Sequence, residues 1–369
     1  MVKKNKSLIK DFVEISKYFG QRFDLTQAAG GNSSIKIGGE MYIKSSGYSL
    51  SEVSLDNGYT ILDNEKLKNF LIRVKNKKID SNIEKKSISI LKNSVLLGAS
   101  PSIESYSHTL LKKFTIHIHP IASNIVSVSK KSKEIFWQIF NKRSKNEGFF
   151  YVEYKPPGID LANEITKTVL GKEEEFSGYK TLIFFLENHG MICSSDTKED
   201  LINSVERFVK KFERYSKINL NKYKMTTKIS KILWDCSYKN LTCYYSEDSY
   251  LQRHISIKNT KSFKKPLNPD QLLYCGEAPL VIKSDLKREI ISYLKKYKTF
   301  PRVVILKKDI YFIAANVLKA REKEDVFKAQ LYFNSNSNPN RPLTKKEVDK
   351  LRSYNLFKNR LRFWFDYAK

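Results

Sequence analysis

The spacing of apolar side chains predicts a helix followed by a hairpin near the start of the chain. Residues 7–22 carry apolar side chains three and four positions apart, which is the period of an amphipathic helix. Apolar and polar side chains then alternate in residues 35–37 and 41–44, as they do in strands. The pair Gly38-Gly39 between these runs is typical of a tight hairpin turn.

The middle of the chain contains further strand and helix patterns. A basic, polar segment near 64–97 predicts a helix plus an insertion. Apolar runs at 114–119 and 181–186 predict strands, and a helix is predicted at about 130–142. A capping pattern that begins at Thr197 introduces a helix with a long apolar stripe, which we assign to the core.

The pattern changes past about residue 225, so we predict two domains, 1–225 and 226–369. Residues 229–260 are rich in tyrosine and predict strands and turns. Two apolar runs around Lys307-Lys308-Asp309 predict a hairpin.

A helix at about 315–332 and a basic helical tail are predicted to complete the second domain. A capping-box pattern at residues 344–347 opens the tail. The apolar side chains of this tail are Leu351, Tyr354, Leu356, Phe357 and Trp364.

Composition bounds the class of protein. The chain has 369 residues, of which 41% are apolar, enough for a sizeable core. No apolar stretch is long enough to span a bilayer, and the basic N-terminus leads into a charged amphipathic pattern rather than a signal peptide. The four cysteines are scattered without a C-x-x-C pair, which predicts reduced thiols in a cytoplasmic protein with no membrane partner.

The formal net charge of +28 invites a nucleic-acid hypothesis. The excess is mostly lysine, however, and it is interleaved with acids at residues 172–175 and 345–349. No nucleic-acid-binding motif accompanies it. We therefore favour a solvated, lysine-rich surface without specific nucleic-acid binding, and an anionic small substrate would be attracted by the same field.

Four of the five histidines fall into one candidate site. His117 and His119 alternate with apolar residues in a predicted strand, so both imidazoles point to one face. A third, His189, follows another predicted strand, and three imidazoles are suited to a first-row metal. The competing interpretation is an ordinary packed or exposed His-x-His pair, which the clustering disfavours. Glu104 and His108 lie four apart on a helix predicted to start at Pro101-Ser102.

Five short motifs in order resemble those of the class II aldolase and adducin head-domain family, over about residues 30–215. The motifs are Gly30-Gly31-Asn32-Ser33-Ser34, Ser45-Ser46-Gly47, Pro101-Ser102-Ile103-Glu104 with His108, His117-Ile118-His119-Pro120 and Asn188-His189-Gly190. The resemblance implies an α/β fold, a three-layer α-β-α sandwich with a central, mainly antiparallel sheet. Residues 226–369 would form a C-terminal α+β extension.

One branch of this family is especially similar. The Pro101–Glu104 motif, the insertion before it, and Asn268-Pro269-Asp270-Gln271 with residues 303–332 resemble the aldolase half of bifunctional rhamnulose-1-phosphate aldolase/alcohol dehydrogenase proteins. No G-x-G-x-x-G follows a predicted strand, so a dehydrogenase half is not expected here.

The resemblance implies a metal-dependent lyase. His117, His119 and His189 would bind Zn²⁺ or another divalent metal, and Glu104 would be the acid/base. The reaction would make or cleave a carbon–carbon bond in a sugar-like hydroxy-ketone, a sugar phosphate or sugar acid, through a metal-stabilised enediolate.

The resemblance also implies substrate-binding residues. Those that match the family's phosphate-binding turns are Asn32, Ser33, Ser46, Gly47 and Ser102. Two further positions, Ile103 and His108, each have more than one interpretation. Ile103 stands where a second serine is common, so phosphate, carboxylate and neutral hydroxyl stay open, and His108 either hydrogen-bonds within the site or packs.

Assembly and reaction class are less specified. The family builds ring-like oligomers with sites between subunits, so we expect a homo-oligomer, with a tetramer favoured. A second proton donor would be a tyrosine from a neighbouring subunit, for which Tyr151 and Tyr154 are candidates. The same metal site also supports epimerases, dehydratases and decarboxylases, and the adducin branch is non-catalytic. Glu104 and the three histidines favour an enzyme.

Overall fold

The structure, a computed structural model, describes residues 2–141, 144–171, 176, 178–255, 265–336 and 340–355. The chain divides into two compact units, Met1–Leu220 and Asn221–Lys369. Three apolar residues of the predicted tail, Leu356, Phe357 and Trp364, lie outside the described residues.

The first unit is built on an eight-stranded sheet. Its strands are β1 (Asn32–Ile37), β2 (Glu40–Lys44), β3 (Tyr59–Asp63), β4 (Val95–Leu97), β5 (Phe114–Ile118), β6 (Glu147–Val152), β7 (Thr181–Leu186) and β8 (Gly190–Ser195). Its helices are α1 (Val2–Gly20), α2 (Asn64–Val74), α3 (Ser81–Asn93), α4 (Ser105–His108), α5 (Ile121–Ser127), α6 (Ser132–Ile139), α7 (Ile159–Leu170) and α8 (Lys198–Ser216). A short 3₁₀ helix spans Leu50–Glu52.

The sheet separates two layers of helices. The strand order is β4-β3-β2-β1-β5-β8-β7-β6, and all neighbours are antiparallel except β6 and β7. Helices α1, α5, α6 and α8 cover one face, where Ile116 and Ile118 are buried. Helices α2, α3, α4 and α7 cover the other face with two further apolar clusters. The predicted three-layer α-β-α sandwich with a mainly antiparallel sheet is confirmed.

The predicted N-terminal elements are present with shifted ends. The first helix ends at Gly20, two residues before the predicted end, and its predicted start at residue 7 lies inside it. The hairpin of β1 and β2 turns through Gly38-Gly39, with Ile37 opposite Glu40. This two-residue turn fixes the register between β1 and β2.

The second unit carries a four-stranded sheet and its own helices. Its strands are β9 (Thr242–Tyr245), β10 (Leu280–Ile282), β11 (Val303–Leu306) and β12 (Asp309–Ala314), in the order β10-β11-β12-β9. Its helices are α9 (Asn221–Asp235), α10 (Ser249–His254), α11 (Pro269–Cys275), α12 (Leu286–Tyr297), α13 (Val317–Asn336) and α14 (Lys345–Ser353). The predicted α+β extension and its hairpin are present.

The prediction of strands and turns over 229–260 was wrong for about half of its described residues, which are helical. Helix α9 runs to Asp235 and α10 occupies Ser249–His254, so β9 is the strand that remains. The aromatic and β-branched side chains of α9 favour strands by propensity, but its buried positions Tyr223, Thr226, Ser230 and Leu233 recur at helical spacing. Packing of that stripe outweighs the weak local preference.

Two further findings concern the helices and the cysteines of the described residues. Within the described ranges, no helix combines the length and apolar character needed to cross a membrane. All four cysteines lie within these ranges and none of them forms a disulfide there; three are buried and Cys236 is partly exposed.

Candidate metal centre

Three histidines converge where β5 ends beside the turn that joins β7 to β8. His117, near the end of β5, pairs with Asn32 of β1 and Ile192 of β8. His119 follows the strand, and His189 lies in the β7–β8 turn. One ligand atom from each imidazole lies within 4.8 Å of the others, and the Nε2 atoms of His117 and His119 are 3.1 Å apart. The three predicted ligands are therefore brought together.

Close backbone contacts position the His189 turn against His119. A Cβ atom on Gly190 would lie 2.5 Å from the carbonyl oxygen of Ile118 and 2.7 Å from Cδ2 of His119, so a side chain cannot be accommodated without movement. Asn188 has a φ of 53°, a left-handed conformation that asparagine tolerates better than most residues. The Asn-His-Gly sequence thus has a steric cause at each flank of the histidine.

A carboxylate faces the histidines. Oε1 of Glu104 lies 3.4 Å from Nε2 of His117 and 3.3 Å from Nε2 of His189. Asn32 donates a 2.7 Å hydrogen bond from Nδ2 to Oε2 of Glu104. Burial opposes ionisation of this carboxyl, but the two imidazoles outweigh it and hold the pKa of Glu104 well below its usual range. Glu104 is therefore ionised at neutral pH.

The environments of His117 and His119 differ. The Nδ1–H of His117 donates to the carbonyl oxygen of Met191 at 3.0 Å, which leaves Nε2 facing His119 and Glu104. Burial lowers the pKa of His117, but Glu104 raises it further, and the net shift is upward. Burial together with His117 and His189 lowers the pKa of His119 to about 3, so this imidazole is neutral, as a metal ligand must be.

This set of donors fits a divalent metal. A tetrahedral zinc with Zn–N bonds of about 2.0–2.1 Å places its nitrogens about 3.4 Å apart, close to the 3.1 Å between His117 and His119. Two ring nitrogens at that separation require a shared proton or a cation between them. Among the described residues, Nδ1 of His189 is buried and has no hydrogen-bond partner. Three imidazoles leave coordination positions open for a substrate.

The helix predicted to start at Pro101-Ser102 is wrong in its extent. Pro101 instead forms a β-bridge with Ser45, and the helix that follows has four residues, Ser105–His108. Glu104 immediately precedes this helix, and its side chain makes no capping hydrogen bond to it. The bridge draws residues 100–102 against the Ser45-Ser46-Gly47 turn rather than into a helix.

The predicted substrate residues Ser46, Gly47 and Ser102 lie together beside Glu104. The N–H of Ser46 donates to the carbonyl oxygen of Ser100 at 2.9 Å, and Oγ of Ser102 accepts from the N–H of Glu104 at 3.3 Å. Ser46 and Gly47 are exposed. Ile103, which stands where a second serine is common, is 55% exposed and supplies no donor side chain.

The side chain of Ser33 does not reach the site, which corrects its predicted role in substrate binding. Its Oγ lies 2.7 Å from Oγ of Ser16 on α1, because alternation along β1 puts Ser33 on the opposite face from Asn32. Ser34, which was not predicted, shares the face of Asn32, and its Oγ lies 2.8 Å from Nδ1 of His108. His108 is fully buried, so it contacts Ser34 of β1 and not solvent.

The two tyrosine candidates lie in different surroundings. Tyr151 packs its ring against Phe136 and Phe185 on the face covered by α6, away from the histidines. Tyr154 is largely exposed in the loop after β6. Neither reaches the histidines of its own chain through any contact described here, so a role for either rests on a second subunit.

Lys44 is a charged residue of this region that the sequence reasoning missed. It is 3% exposed at the end of β2, and Glu104 is the strongest of the charges acting on it. A lysine at the end of an otherwise apolar strand, immediately before a turn of small residues, is the signal that could have revealed it.

A comparison with known protein families finds a match in the first unit. The sequence profile described as "Class II Aldolase and Adducin N-terminal domain" matches residues 10–215, more than half of the chain. A search among curated proteins finds none that matches. The comparisons do not separate the branches of the family, so similarity to the rhamnulose-1-phosphate branch stays a prediction.

Solved structures similar to this chain include three whose descriptions name an aldolase or an aldolase domain. The N-terminal class II aldolase domain of a conserved protein from Thermoplasma acidophilum has a TM-score of 0.46 and 21% identity, covering 56% of this chain and 92% of that one. A sugar-phosphate aldolase from Thermotoga maritima has a TM-score of 0.39 and 14% identity, covering 57% and 94%. An L-fuculose-1-phosphate aldolase from Thermus thermophilus has a TM-score of 0.34 and 14% identity, covering 56% and 90%.

Proposed function

This chain belongs to the class II aldolase and adducin N-terminal domain family, and from that premise we propose that it is a divalent-metal-dependent lyase. Its substrate would be a sugar-like hydroxy-ketone, a sugar phosphate or sugar acid, in which a carbon–carbon bond is cleaved or formed. The observation that carries the proposal is the convergence of His117, His119 and His189 on an ionised Glu104.

The three histidines would hold the metal, with zinc as the expected ion. When bound, a divalent ion supplies a Lewis acid that stabilises negative charge on two neighbouring substrate oxygens as the carbon–carbon bond breaks. The protein contributes orientation: the carbonyl oxygen of Met191 fixes the ring of His117, and the N–H of His119 donates to the carbonyl oxygen of Leu25 at 3.0 Å.

Glu104 would move the proton. Its carboxylate is ionised, faces the histidines through Oε1 and is held by Asn32 through Oε2. In the cleavage direction it accepts the proton of the substrate hydroxyl whose oxygen becomes the carbonyl of the leaving aldehyde. The same carboxyl group can then return a proton to the carbon of the other fragment.

The turns beside Glu104 would bind the far end of the substrate. The N–H groups and hydroxyls near Ser46, Gly47 and Ser102 suit a phosphate, a carboxylate or a polyol. The exposed Ile103 presents an apolar surface where a second serine would donate a hydrogen bond. The site therefore offers fewer hydrogen-bond donors to the end of the substrate than a phosphate site lined by two serines.

The proposal is tested by assaying zinc-loaded protein against a panel of ketose phosphates and sugar acids, with products identified by mass spectrometry. Wild type should release an aldehyde from at least one compound. Glu104→Gln should keep its metal and lose about 10²-fold or more in turnover, because the proton acceptor is gone. Glu65→Gln, on the exposed face of α2, is the matched control and should retain wild-type turnover.

Other products would redirect the proposal. Epimers, dehydrated sugars or carbon dioxide without aldehyde would indicate the epimerase, dehydratase or decarboxylase reactions that the same site supports. Full turnover in Glu104→Gln would refute the acid/base assignment. Absence of any turnover, with metal bound, would favour the non-catalytic adducin-like alternative.

We also propose a homo-oligomer, with a tetramer favoured. Ile125 of α5, Val128 just after it and Trp137 of α6 are exposed, and large apolar side chains of this kind are commonly covered by a second subunit. Light scattering should give four times the chain mass of 43.0 kDa. A mass of 43.0 kDa at micromolar concentration would contradict it.

A further inference from the structure

A buried ammonium group lies between the two turns that border the candidate site. Nζ of Lys44 donates to three backbone carbonyl oxygens: Ala29 at 3.2 Å, Ser45 at 3.4 Å and Tyr48 at 2.7 Å. An ammonium has three N–H donors, so its hydrogen-bonding capacity is filled by backbone alone. No carboxylate neutralises it directly among the contacts described.

One of these turns touches the histidines. Ala29 precedes Gly30-Gly31, and a Cβ atom on Gly31 would lie 2.6 Å from the carbonyl oxygen of His117. A Cβ atom on Gly30 would lie 3.2 Å from Nδ1 of His119. The carbonyl oxygen held by Lys44 therefore belongs to a segment packed directly on two proposed metal ligands.

The other turn is the one expected to bind substrate. The carbonyl oxygens of Ser45 and Tyr48 flank the exposed Ser46-Gly47 pair on either side. Lys44 bonds to Ala29 and to the residues on both sides of Ser46-Gly47. This one side chain therefore sets the distance between the Ala29-Gly30-Gly31 turn and the Ser46-Gly47 turn.

The charge of Lys44 also acts on the site. Burial lowers the pKa of Lys44 to about 8, against the opposing effects of Glu104 and Glu52. Lys44 in turn opposes the rise in the pKa of His117 that Glu104 causes. A positive charge at this position repels a metal cation and attracts an anionic substrate group, so its two effects on ligands have opposite signs.

Another buried lysine provides a contrast. Lys17 of α1 is as buried as Lys44 and donates to the carbonyl oxygen of Ser51 at 2.9 Å. That carbonyl belongs to neither of the two turns that Lys44 joins. Comparing the two lysines separates the general loss of a buried ammonium from the specific link between the turns.

We propose that Lys44 is a positioning residue that joins the two turns and makes the site selective for a substrate with an anionic group at the Ser46-Gly47 turn. The inference rests on the proposed function for its substrate class, a hydroxy-ketone. It adds the residue that distinguishes a charged from a neutral hydroxy-ketone.

The test measures binding, so it does not depend on turnover. Zinc-loaded wild type, Lys44→Met, Lys44→Arg and Lys17→Met are titrated with dihydroxyacetone, dihydroxyacetone phosphate and hydroxypyruvate by calorimetry. Zinc affinity is measured separately by competition with a chromophoric chelator. The phosphate and carboxylate compounds distinguish the two sources of negative charge, and dihydroxyacetone is the neutral reference.

Wild type should bind at least one anionic compound about tenfold or more tightly than dihydroxyacetone. Lys44→Met should lose about tenfold of that preference while zinc affinity is unchanged or higher. Lys44→Arg should restore most of it, and Lys17→Met should resemble wild type. In wild type the preference should weaken as pH rises through about 8, and in Lys44→Arg it should not.

Three results would overturn the inference. The first is equal binding of charged and neutral compounds by wild type, and the second is an unchanged preference in Lys44→Met. The third is loss of zinc and all ligands together in Lys44→Met without rescue by arginine, which would show a purely structural role. Selective binding without any cleavage would instead leave the inference standing and refute the proposed lyase.

Discussion

Asn32 connects the Ala29-Gly30-Gly31 turn to the reactive carboxylate. It begins β1 directly after Gly30-Gly31, stands opposite His117 in the sheet and donates to Glu104. With Oε2 held in this way, the carboxylate can rotate only by breaking a hydrogen bond to a buried amide. The orientation of Glu104 is therefore set by the sheet rather than by the short helix that follows it.

Asn32→Ala should lower turnover by about tenfold to a hundredfold while metal content is unchanged, because one carboxylate oxygen loses its donor. Steady-state kinetics and elemental analysis measure both quantities. Asn64→Ala is the matched control, since Asn64 is also buried but donates to the carbonyl oxygen of Thr109. Equal turnover in Asn32→Ala and wild type would show that Glu104 needs no such orientation.

The ligand histidines could be predicted from the sequence because alternation in a strand is strict once the strand is recognised. The same rule explains the error at Ser33, whose motif neighbours gave no indication of which face it occupies before the register with β5 was known. Lys44 was missed because its three partners are backbone carbonyls, and these leave no mark in the sequence.

At the scale of elements, the β7–β8 turn is the least replaceable part of the site. It carries His189, and the side-chain amide of Asn124 on α5 donates to the carbonyl oxygen of His189 at 3.2 Å. The N–H of Asn188 donates to the carbonyl oxygen of Ser127 at 3.1 Å. A helix of the far layer thus fixes the turn, and Gly190 lets the turn approach His119.

Gly190→Ala should displace the turn and weaken zinc binding by tenfold or more, with a loss of about 1–3 kcal/mol in stability from overpacking. Chelator competition and urea unfolding measure the two effects. Gly178→Ala is the control, because a Cβ atom there meets nothing within 4 Å. Wild-type zinc affinity in Gly190→Ala would mean that the turn relaxes without moving His189.

Elements with a strong period were predictable, and those governed by propensity alone were not. The hairpin of β1 and β2 and the long helix α8 follow from turn residues, capping and a clear apolar stripe. Residues 229–235, the end of helix α9, were assigned to strands and turns because the stretch that begins there is rich in tyrosine, which favours strands. Only its packing against β9 and neighbouring elements decides for the helix.

At the scale of the whole molecule, the chain combines a high positive charge with several buried lysines. The units divide at Leu220/Asn221, and the predicted boundary was 225/226, five residues inside α9. The change in composition put the predicted boundary inside α9, because the helical period of that segment had not been recognised. Buried lysines occur in both units, at Lys17 in the first and Lys323 in the second.

Stability should rise with pH because of such lysines. Burial, opposed by Glu52, lowers the pKa of Lys17 to about 7, whereas an unfolded lysine titrates near 10.4. Between these values the unfolded chain binds a proton that the folded chain releases, so the free energy of unfolding rises by up to about 1.4 kcal/mol per pH unit. The cost of burying the charge is complete below about pH 7.

This slope is measured by urea unfolding at several pH values from 7 to 9.5, taking the free energy of unfolding from the transition of the first unit. Lys17→Met should flatten it, and the exposed Lys66→Met should leave it as in wild type. Identical slopes in wild type and Lys17→Met would show that the ammonium stays charged in the folded protein.

The central claim is that three histidines of this chain hold a catalytic metal, and elemental mass spectrometry of untagged protein tests it most directly. Wild type and His254→Ala, which changes the one histidine outside the site, should each carry about one zinc or other divalent ion per chain. His117→Ala/His119→Ala should carry none. Absence of metal from wild type even after reconstitution, or its retention in the double variant, would contradict the account.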